Sequence, residues 1–164
     1  MIYLNDLWSF YFHDPYDVKW DIKSFELIAN IASVEDFIKI FNIYKNIINY
    51  GMFFIMREHI SPLWEDDNNI NGGCLSYKLF KDEITDKFFN ICCLLLGETL
   101  GKENNIIENI NGISISQKKN YYILRIWIKD SKFTDKENNN IEPLKYTKIY
   151  EHYTKLNQQT THND

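Results

Sequence analysis

The sequence contains few of the residues that mark disulfide-rich, fibrous or membrane-embedded proteins. Its 164 residues include six glycines, three prolines and three cysteines. So little glycine and proline excludes a collagen-like or low-complexity chain, and no apolar run approaches the roughly 18 residues that a membrane-spanning helix needs. The hydrophobic fraction of 45% excludes a disordered chain. We therefore expect a globular protein.

The cysteines are too few and wrongly spaced for a disulfide framework or a zinc site. Cys74, Cys92 and Cys93 are odd in number, two of them are adjacent, and none has CxxC spacing. This usage predicts reduced thiols. The N-terminal segment MIYLNDLWSFYF has no basic stretch followed by an apolar run, so no signal peptide is predicted. The expected location is the cytoplasm.

Positive charge is not in excess. Lysine and arginine number 18 against 23 acidic residues, which gives a formal net charge of −5. A broad basic face for duplex nucleic acid is therefore excluded, whereas a local basic pocket for a few phosphates is compatible with this balance. The four histidines have no metal-ligand spacing and flank no serine or cysteine nucleophile, and the sequence has no P-loop and no GxGxxG motif. We expect no catalysis, no metal and no cofactor.

Aromatic residues are abundant, at 16% of the chain, and the hydrophobic pattern predicts six strands and three helices. The strands are expected at Leu4–Phe12, Phe25–Ile31, Met52–Met56, Cys74–Phe80, Ile110–Lys118 and Tyr121–Lys129. The helices are expected from Ser33, with a capping-box pattern to Asp36, to about Asn49, at about Thr85–Leu96 and at Glu142–Leu156. Crossover helices are too few for a doubly wound parallel sheet, so the expected class is α+β with an antiparallel sheet. We expect one domain over 1–156 and a polar tail over 157–164.

The four tryptophans fall in different local contexts. Trp8 lies in a predicted aromatic strand and is expected in the core or on a sheet face. Trp20 lies in a charged loop, and Trp64 precedes three consecutive acids in a segment without periodicity. An indole in such a loop either binds something that covers it or folds back onto the core, and the local sequence leaves both interpretations open.

Strand alternation predicts the position of Trp127. The even positions of the last predicted strand are apolar and are expected to face the core: Tyr122, Leu124, Ile126 and Ile128. The odd positions place Trp127 on the polar side of the sheet, beside Arg125 and Lys129. That side is therefore expected to present serine, lysine, arginine and tryptophan to solvent or to a ligand.

These residues suit a cationic base that donates hydrogen bonds and carries phosphates. Trp20 and Trp64 can stack on such a base by cation–π attraction. Glu65 can accept two hydrogen bonds from the adjacent N–H groups of a guanine edge. Lys118 and Arg125, on one sheet face, can pair with phosphates. A 7-methylguanosine cap meets all three requirements.

Several motifs follow one another in a distinctive order between about Leu4 and Trp127. They are Trp8–Phe12, Lys19-Trp20, Val34–Phe37, Ile60–Asn68, Gly72-Gly73, Leu95–Glu98 and Ile126-Trp127. This order resembles the family of translation initiation factor 4E, the mRNA cap-binding protein, and the Trp-Glu-Asp element before Gly-Gly is quite specific. The resemblance implies a curved antiparallel sheet with three helices on its convex face and the cap site on its concave face.

The resemblance also implies roles for single residues. Trp20 and Trp64 would sandwich the methylated base. Glu65 and the backbone N–H of Trp64 would hold the guanine edge, and Trp127 would contact the methyl group. Capped mRNA is therefore the expected ligand.

The phosphate side departs from the family pattern. Lys118 falls on a family arginine that contacts phosphate. A second basic position of the family falls on Ile123, and we expect Arg125, two residues later on the same strand face, to substitute for it. The family's last strand is expected to be missing after the third helix.

A partner surface is implied on the helices. The family binds scaffold factor 4G and repressors through a tryptophan directly after Val-Glu-Asp-Phe, and Ile38 occupies that position here. The expected surface comprises Val34, Ile38, Phe89, Asn90, Cys93 and Gly97. The second helix has apolar groups on two faces, whereas packing on a sheet needs one, so we expect the other face to bind a helical motif of the scaffold or of a dedicated equivalent.

Three functions are left open by these residues. The chain either promotes translation initiation by recruiting a scaffold, or acts as a cap-binding repressor or decoy, or is an interaction module that has lost cap binding. The presence of Trp20, Trp64, Glu65 and Trp127 argues against the last of these. A divergent eukaryote and a virus are both compatible sources for so short and asparagine-rich a chain.

Overall fold

A seven-stranded antiparallel sheet organises the part of the chain that the structure describes, which is residues 1–135, residue 137 and the backbone of 145–150 in this computed structural model. The strands are β1 (Tyr3–His13), β2 (Phe25–Ser33), β3 (Met52–Arg57), β4 (Gly73–Leu79), β5 (Ile110–Gln117), β6 (Tyr122–Ile128) and β7 (Lys145–Tyr150). The helices are α1 (Val34–Tyr44), α2 (Ile84–Leu96) and α3 (Asn104–Ile107). The strand order is β2-β1-β3-β5-β6-β4-β7.

The first helix begins where its capping box predicts. The Ser33 hydroxyl accepts a hydrogen bond from the backbone N–H of Asp36 at 3.1 Å, and the Asp36 carboxylate accepts one from the Ser33 N–H at 3.0 Å. These two bonds satisfy backbone donors that the first turn leaves without helical partners. The helix ends at Tyr44 rather than near Asn49, because the chain turns there into a short 3₁₀ helix at Ile48–Tyr50.

The main core lies between one face of the sheet and the three helices, and we call this face the helix-covered face. Its strand residues include the four predicted from alternation in β6, namely Tyr122, Leu124, Ile126 and Ile128, each at most 3% exposed. Each helix contributes to the same cluster, for example through Phe37, Phe88 and Ile106. The predicted α+β class, with a curved antiparallel sheet and helices on one side, is confirmed.

The prediction of a helix at Glu142–Leu156 is wrong for the residues of that range that the structure describes. Residues 145–150 form β7, which pairs antiparallel with β4 from Lys78↔Lys145 to Cys74↔Tyr150, and the rest of that prediction lies outside the described residues, as does the tail at 157–164. The sequence KYTKIY is rich in β-branched and aromatic residues, and it covers the backbone of β4, which would otherwise be a sheet edge. The expectation that no further strand follows is therefore also wrong.

The third helix of the described chain is α3, a single turn that the sequence pattern did not predict. Four residues are too few to show helical periodicity, so only the structure reveals it. Within the described ranges, no helix is both long and apolar enough to span a membrane. The three cysteines form no disulfide bond, in line with their spacing.

Candidate functional site

The six residues that the sequence assigns to ligand binding line one cavity of about 410 Å³. They are Trp20, Trp64, Glu65, Lys118, Arg125 and Trp127. The cavity also borders Met52, Phe54, Pro62, Leu63 and Ser114. It lies on the sheet face opposite the helices, which we call the cavity face. Residues far apart in the chain therefore converge on one concave site.

The register of three neighbouring strands builds the floor of the cavity. Phe54 of β3 pairs with Ser114 of β5, and Ser114 pairs with Arg125 of β6. Their chain neighbours Ile55, Ile113 and Leu124 belong to the main core instead. The two-residue period of each strand thus sends alternate side chains to the cavity face.

Trp127 is more buried than the sequence predicts. The side chain is 2% exposed, its indole Nε1 donates a hydrogen bond to Ser114 Oγ at 2.9 Å, and its ring meets Trp64 edge-to-face at a centroid distance of 6.2 Å. A second apolar cluster surrounds it, with Phe25, Phe54, Met56 and Ile60. The cavity face is therefore not a wholly polar surface, because the loop after β3 covers part of it.

Trp64 is half-buried and lies in the loop after β3. Hydrogen bonds to the Asp66 carboxylate stabilise this loop. The Asp66 carboxylate accepts hydrogen bonds from the backbone N–H groups of Ser61 and Asn68, both at 2.9 Å. Asp66 is consequently committed to the fold of the loop. Its neighbour Glu65 is exposed and lines the cavity. Of the three acids after Trp64, Asp66 is structural, and of the exposed pair Glu65 and Asp67 only Glu65 lines the cavity.

A buried pair of asparagines ties the same loop to the sheet. Asn69 is 2% exposed and donates hydrogen bonds to the carbonyls of Leu63 at 2.7 Å and Ser61 at 3.1 Å. Asn111, which lies on β5, donates to Asn69 Oδ1 at 2.8 Å and to the Asn68 carbonyl at 2.7 Å. The position of Trp64 relative to the sheet is therefore set by buried hydrogen bonds.

Trp20 forms another wall and is held differently. It lies in the loop after β1, where the Asp17 carboxylate accepts a hydrogen bond from the Lys19 N–H at 2.9 Å. The indole is 52% exposed, and it lies parallel to the imidazole of His13, with a centroid distance of 4.1 Å and an interplanar angle of 8°. The same indole meets Phe25 edge-to-face at a centroid distance of 5.9 Å, so this wall of the cavity rests on two rings that lie near it in the chain.

The charges at the cavity are arranged as two cations and one carboxylate among the described lining residues. Lys118 is exposed at the β5–β6 turn, where its N–H donates to the Tyr121 carbonyl at 2.7 Å, and Arg125 is half-buried on β6. Glu65 is the carboxylate. Such a site can bind a ligand that presents hydrogen-bond donors to Glu65 and negative charge to Lys118 and Arg125.

Comparison with known proteins identifies the family of the chain. The sequence model of the family described as "Eukaryotic initiation factor 4E" matches residues 3–163 of the chain. The chain belongs to the eukaryotic initiation factor 4E family.

The sequence of this 4E family member is only distantly similar to those of individual relatives. It is 37% identical over 70 residues to the eukaryotic translation initiation factor 4E homolog of Acanthamoeba polyphaga mimivirus. This alignment covers 43% of this chain and 26% of the relative. It is 28% identical over 138 residues to eukaryotic translation initiation factor 4E of Candida albicans. This alignment covers 77% of this chain and 64% of the relative. The chain thus spans less than two thirds of the length of these relatives.

A solved structure agrees with the fold of this 4E family member. The complex of C. elegans eIF4E-3 with the 4E-binding protein Mextli and a cap analog superimposes with a TM-score of 0.71 at 18% identity. The match covers 80% of this chain and 76% of the other. At this level of identity the likeness establishes the shared fold, which is the one that the motif order implied.

The residues expected to form the partner surface of this 4E family member lie on α1, on α2 and at Gly97, directly after α2. Val34 and Ile38 are 36% and 39% exposed. Asn90, Cys93 and Gly97 are exposed too, whereas Phe89 is half-buried and packs edge-to-face on Phe41 at a centroid distance of 4.8 Å. Most of the set is therefore accessible on the side of the sheet away from the cavity.

Sequence reasoning missed the apolar part of the cavity. Met52, Phe54 and Leu63 line it, but none stood out as a candidate. One signal was present in β3, where Met52–Met56 is apolar at every position. A strand that is apolar on both faces indicates cover on both sides of the sheet. His13, which supports Trp20, gave no such signal.

Proposed function

We propose that this chain binds the 7-methylguanosine 5′ cap of mRNA in the cavity on the cavity face. The observation that carries the proposal is the convergence of all six expected ligand residues on one cavity of about 410 Å³. The volume falls within the range of about 300–1,000 Å³ that is typical of small-molecule sites. The C. elegans relative in complex with a cap analog supports the same use of this fold.

In the proposed complex, Trp20 and Trp64 stack on opposite faces of the methylated base. The indole of Trp20 is half-exposed, so ring surface is available for a ligand. The base carries a positive charge, and each aromatic face contributes about 0.5–2 kcal/mol of cation–π attraction. The methyl group points toward Trp127 at the cavity floor.

The polar groups of the cavity select guanine and its phosphates. The Glu65 carboxylate accepts hydrogen bonds from the N–H groups of the guanine edge, and the Trp64 backbone N–H donates to its carbonyl oxygen. Lys118 and Arg125 pair with the phosphate chain, with Arg125 in place of the lysine that the family has near this position.

A ligand titration tests the proposal. Tryptophan fluorescence should be quenched strongly by 7-methyl-GTP and weakly by GTP. Glu65→Gln should abolish the preference because it removes the carboxylate, whereas Asp67→Asn should keep it because this exposed acid does not line the cavity. Equal binding of the two nucleotides by the unaltered protein would refute cap recognition.

The helices provide the proposed link to translation in the cytoplasm. Val34, Ile38, Phe89, Asn90, Cys93 and Gly97 would bind a helical motif of a 4G-type scaffold or of a dedicated equivalent. The solved relative contains a 4E-binding protein, which supports a protein partner for this family member. Ile38→Ala should weaken capture of ribosome-recruiting partners from a lysate while binding of 7-methyl-GTP is kept.

Ile38 also favours a second candidate function. It retains apolar surface but lacks the indole N–H that the family's tryptophan offers to scaffold motifs. A cap-binding repressor would share the cavity and lack the recruiting partner. Capture of a cap-bound protein complex without ribosome-recruiting factors would support the repressor, and capture of those factors would support the initiator.

A further inference from the structure

The end of β1 carries a buried histidine on the cavity face. His13 is 0% exposed, and its backbone pairs with Phe25 of β2 on one side and Met52 of β3 on the other. Strands on both sides therefore fix its position. The chain leaves the sheet directly after it, in the loop that carries Trp20.

The imidazole of His13 makes two contacts that reach this loop. Its Nε2 lies 2.8 Å from the Lys19 carbonyl oxygen, and its ring stacks on the Trp20 indole at 4.1 Å. A carbonyl oxygen can only accept, so Nε2 carries the proton and donates. The ring thus fixes both the backbone just before Trp20 and the plane of the indole.

The other ring nitrogen shows why a histidine at this site is unusual. Nδ1 is buried and has no hydrogen-bond partner among the described residues. Burying a polar atom without a partner is costly, and an apolar ring would avoid that cost. Histidine supplies both the flat ring that stacks on Trp20 and the N–H that donates to the Lys19 carbonyl.

We propose that His13 is a positioning residue for ligand binding, which stacks beneath Trp20 and holds its indole in the orientation that receives the base. The stack occupies one face of Trp20 and leaves the other for the cavity that Trp20 lines. The inference rests on the proposed function and extends it, because the ligand would add to a stack that already exists. Pre-orienting a ring lowers the entropy lost on binding.

Two substitutions at His13 and one at its neighbour test the proposal. His13→Ala removes the stack and should weaken 7-methyl-GTP binding roughly 3- to 10-fold, the range expected for an aromatic pair. His13→Phe keeps a flat ring and should lose less than His13→Ala. Phe12→Ala is the control, because Phe12 packs on Phe53 in the main core, and it should lower thermal stability without changing affinity.

A measurement on the ligand-free protein separates this inference from the function on which it rests. In protein labelled with 5-fluorotryptophan, the fluorine signal of Trp20, assigned by Trp20→Phe, should shift in His13→Ala, while that of Trp8 in the main core stays in place. An unchanged Trp20 signal, unchanged affinity in His13→Ala, or equal losses in the two His13 variants would overturn the positioning role. Failure of the unaltered protein to prefer 7-methyl-GTP would instead refute the proposed function, and the fluorine signals would still report on the stack.

Discussion

The two tryptophan walls of the cavity are held in opposite ways. The Trp64 wall is a loop whose buried Asn69 bonds to two carbonyls and to Asn111 of the sheet. The Trp20 wall is a half-exposed indole that stacks on His13 and meets Phe25 edge-to-face. One wall is part of the folded core, and the other is placed by local contacts. Substitutions in the first should therefore affect both stability and binding, and those in the second should affect binding far more than stability.

The largest effect is expected from Trp64→Ala. The change removes one stacking surface and the edge-to-face contact with Trp127. We expect about 100-fold weaker binding of 7-methyl-GTP, from the combined loss of cation–π and stacking energy. Isothermal titration calorimetry measures the affinity, and thermal unfolding should show a lower Tm. An unchanged Tm would contradict the view that this wall belongs to the core.

Asn69→Ala tests the same wall through its hydrogen bonds. The variant leaves the Ser61 and Leu63 carbonyls and the Asn111 amide without their buried partner. We expect a loss of about 2–3 kcal/mol in the free energy of unfolding, measured by urea denaturation. Asn71→Ala is the matched control, because it changes an exposed asparagine of the same loop and should cost less than about 0.5 kcal/mol. Similar losses in the two variants would show that Asn69 does not anchor the loop.

The difference between the walls was only partly predictable from sequence. Both indoles stood out because each lies in a charged, aperiodic loop, and strand alternation assigned Leu124 and Ile126 correctly to the main core. The burial of Trp127 could not be predicted, because it depends on the hydrogen bond to Ser114 of a neighbouring strand and on the loop above it. Both are contacts between segments distant in sequence.

The same reason explains the errors in the fold. A helix was expected over 142–156 from local pattern alone, yet the backbone of 145–150 pairs with β4. Such pairing is decided by the free edge of a strand some 70 residues earlier, and helix or strand propensity is weak beside tertiary context. The capping box at Ser33 was predicted correctly, since it involves residues only three apart.

Trp20→Ala addresses the second wall. It removes the other stacking surface, and we expect roughly 10- to 30-fold weaker binding of 7-methyl-GTP. Because the indole is 52% exposed, the free energy of unfolding should fall by less than about 1 kcal/mol. Calorimetric titration and urea denaturation of the same samples provide both values. A stability loss as large as that of Asn69→Ala would remove the distinction between the walls.

The smallest effect is expected from Arg125→Gln, which leaves both walls intact and acts on the phosphate side. Binding of 7-methyl-GTP should weaken about 3- to 10-fold, while binding of bare 7-methylguanosine should not change, since the nucleoside has no phosphate to pair with Arg125. Lys129→Gln is the control, because it removes one positive charge at the end of the same strand without lining the cavity. Titrations at several salt concentrations should show a shallower salt dependence for Arg125→Gln only, because that variant loses an ion pair that salt screens. Equal losses for nucleoside and nucleotide would mean that Arg125 supports the fold of the cavity and does not replace the family's phosphate-binding lysine.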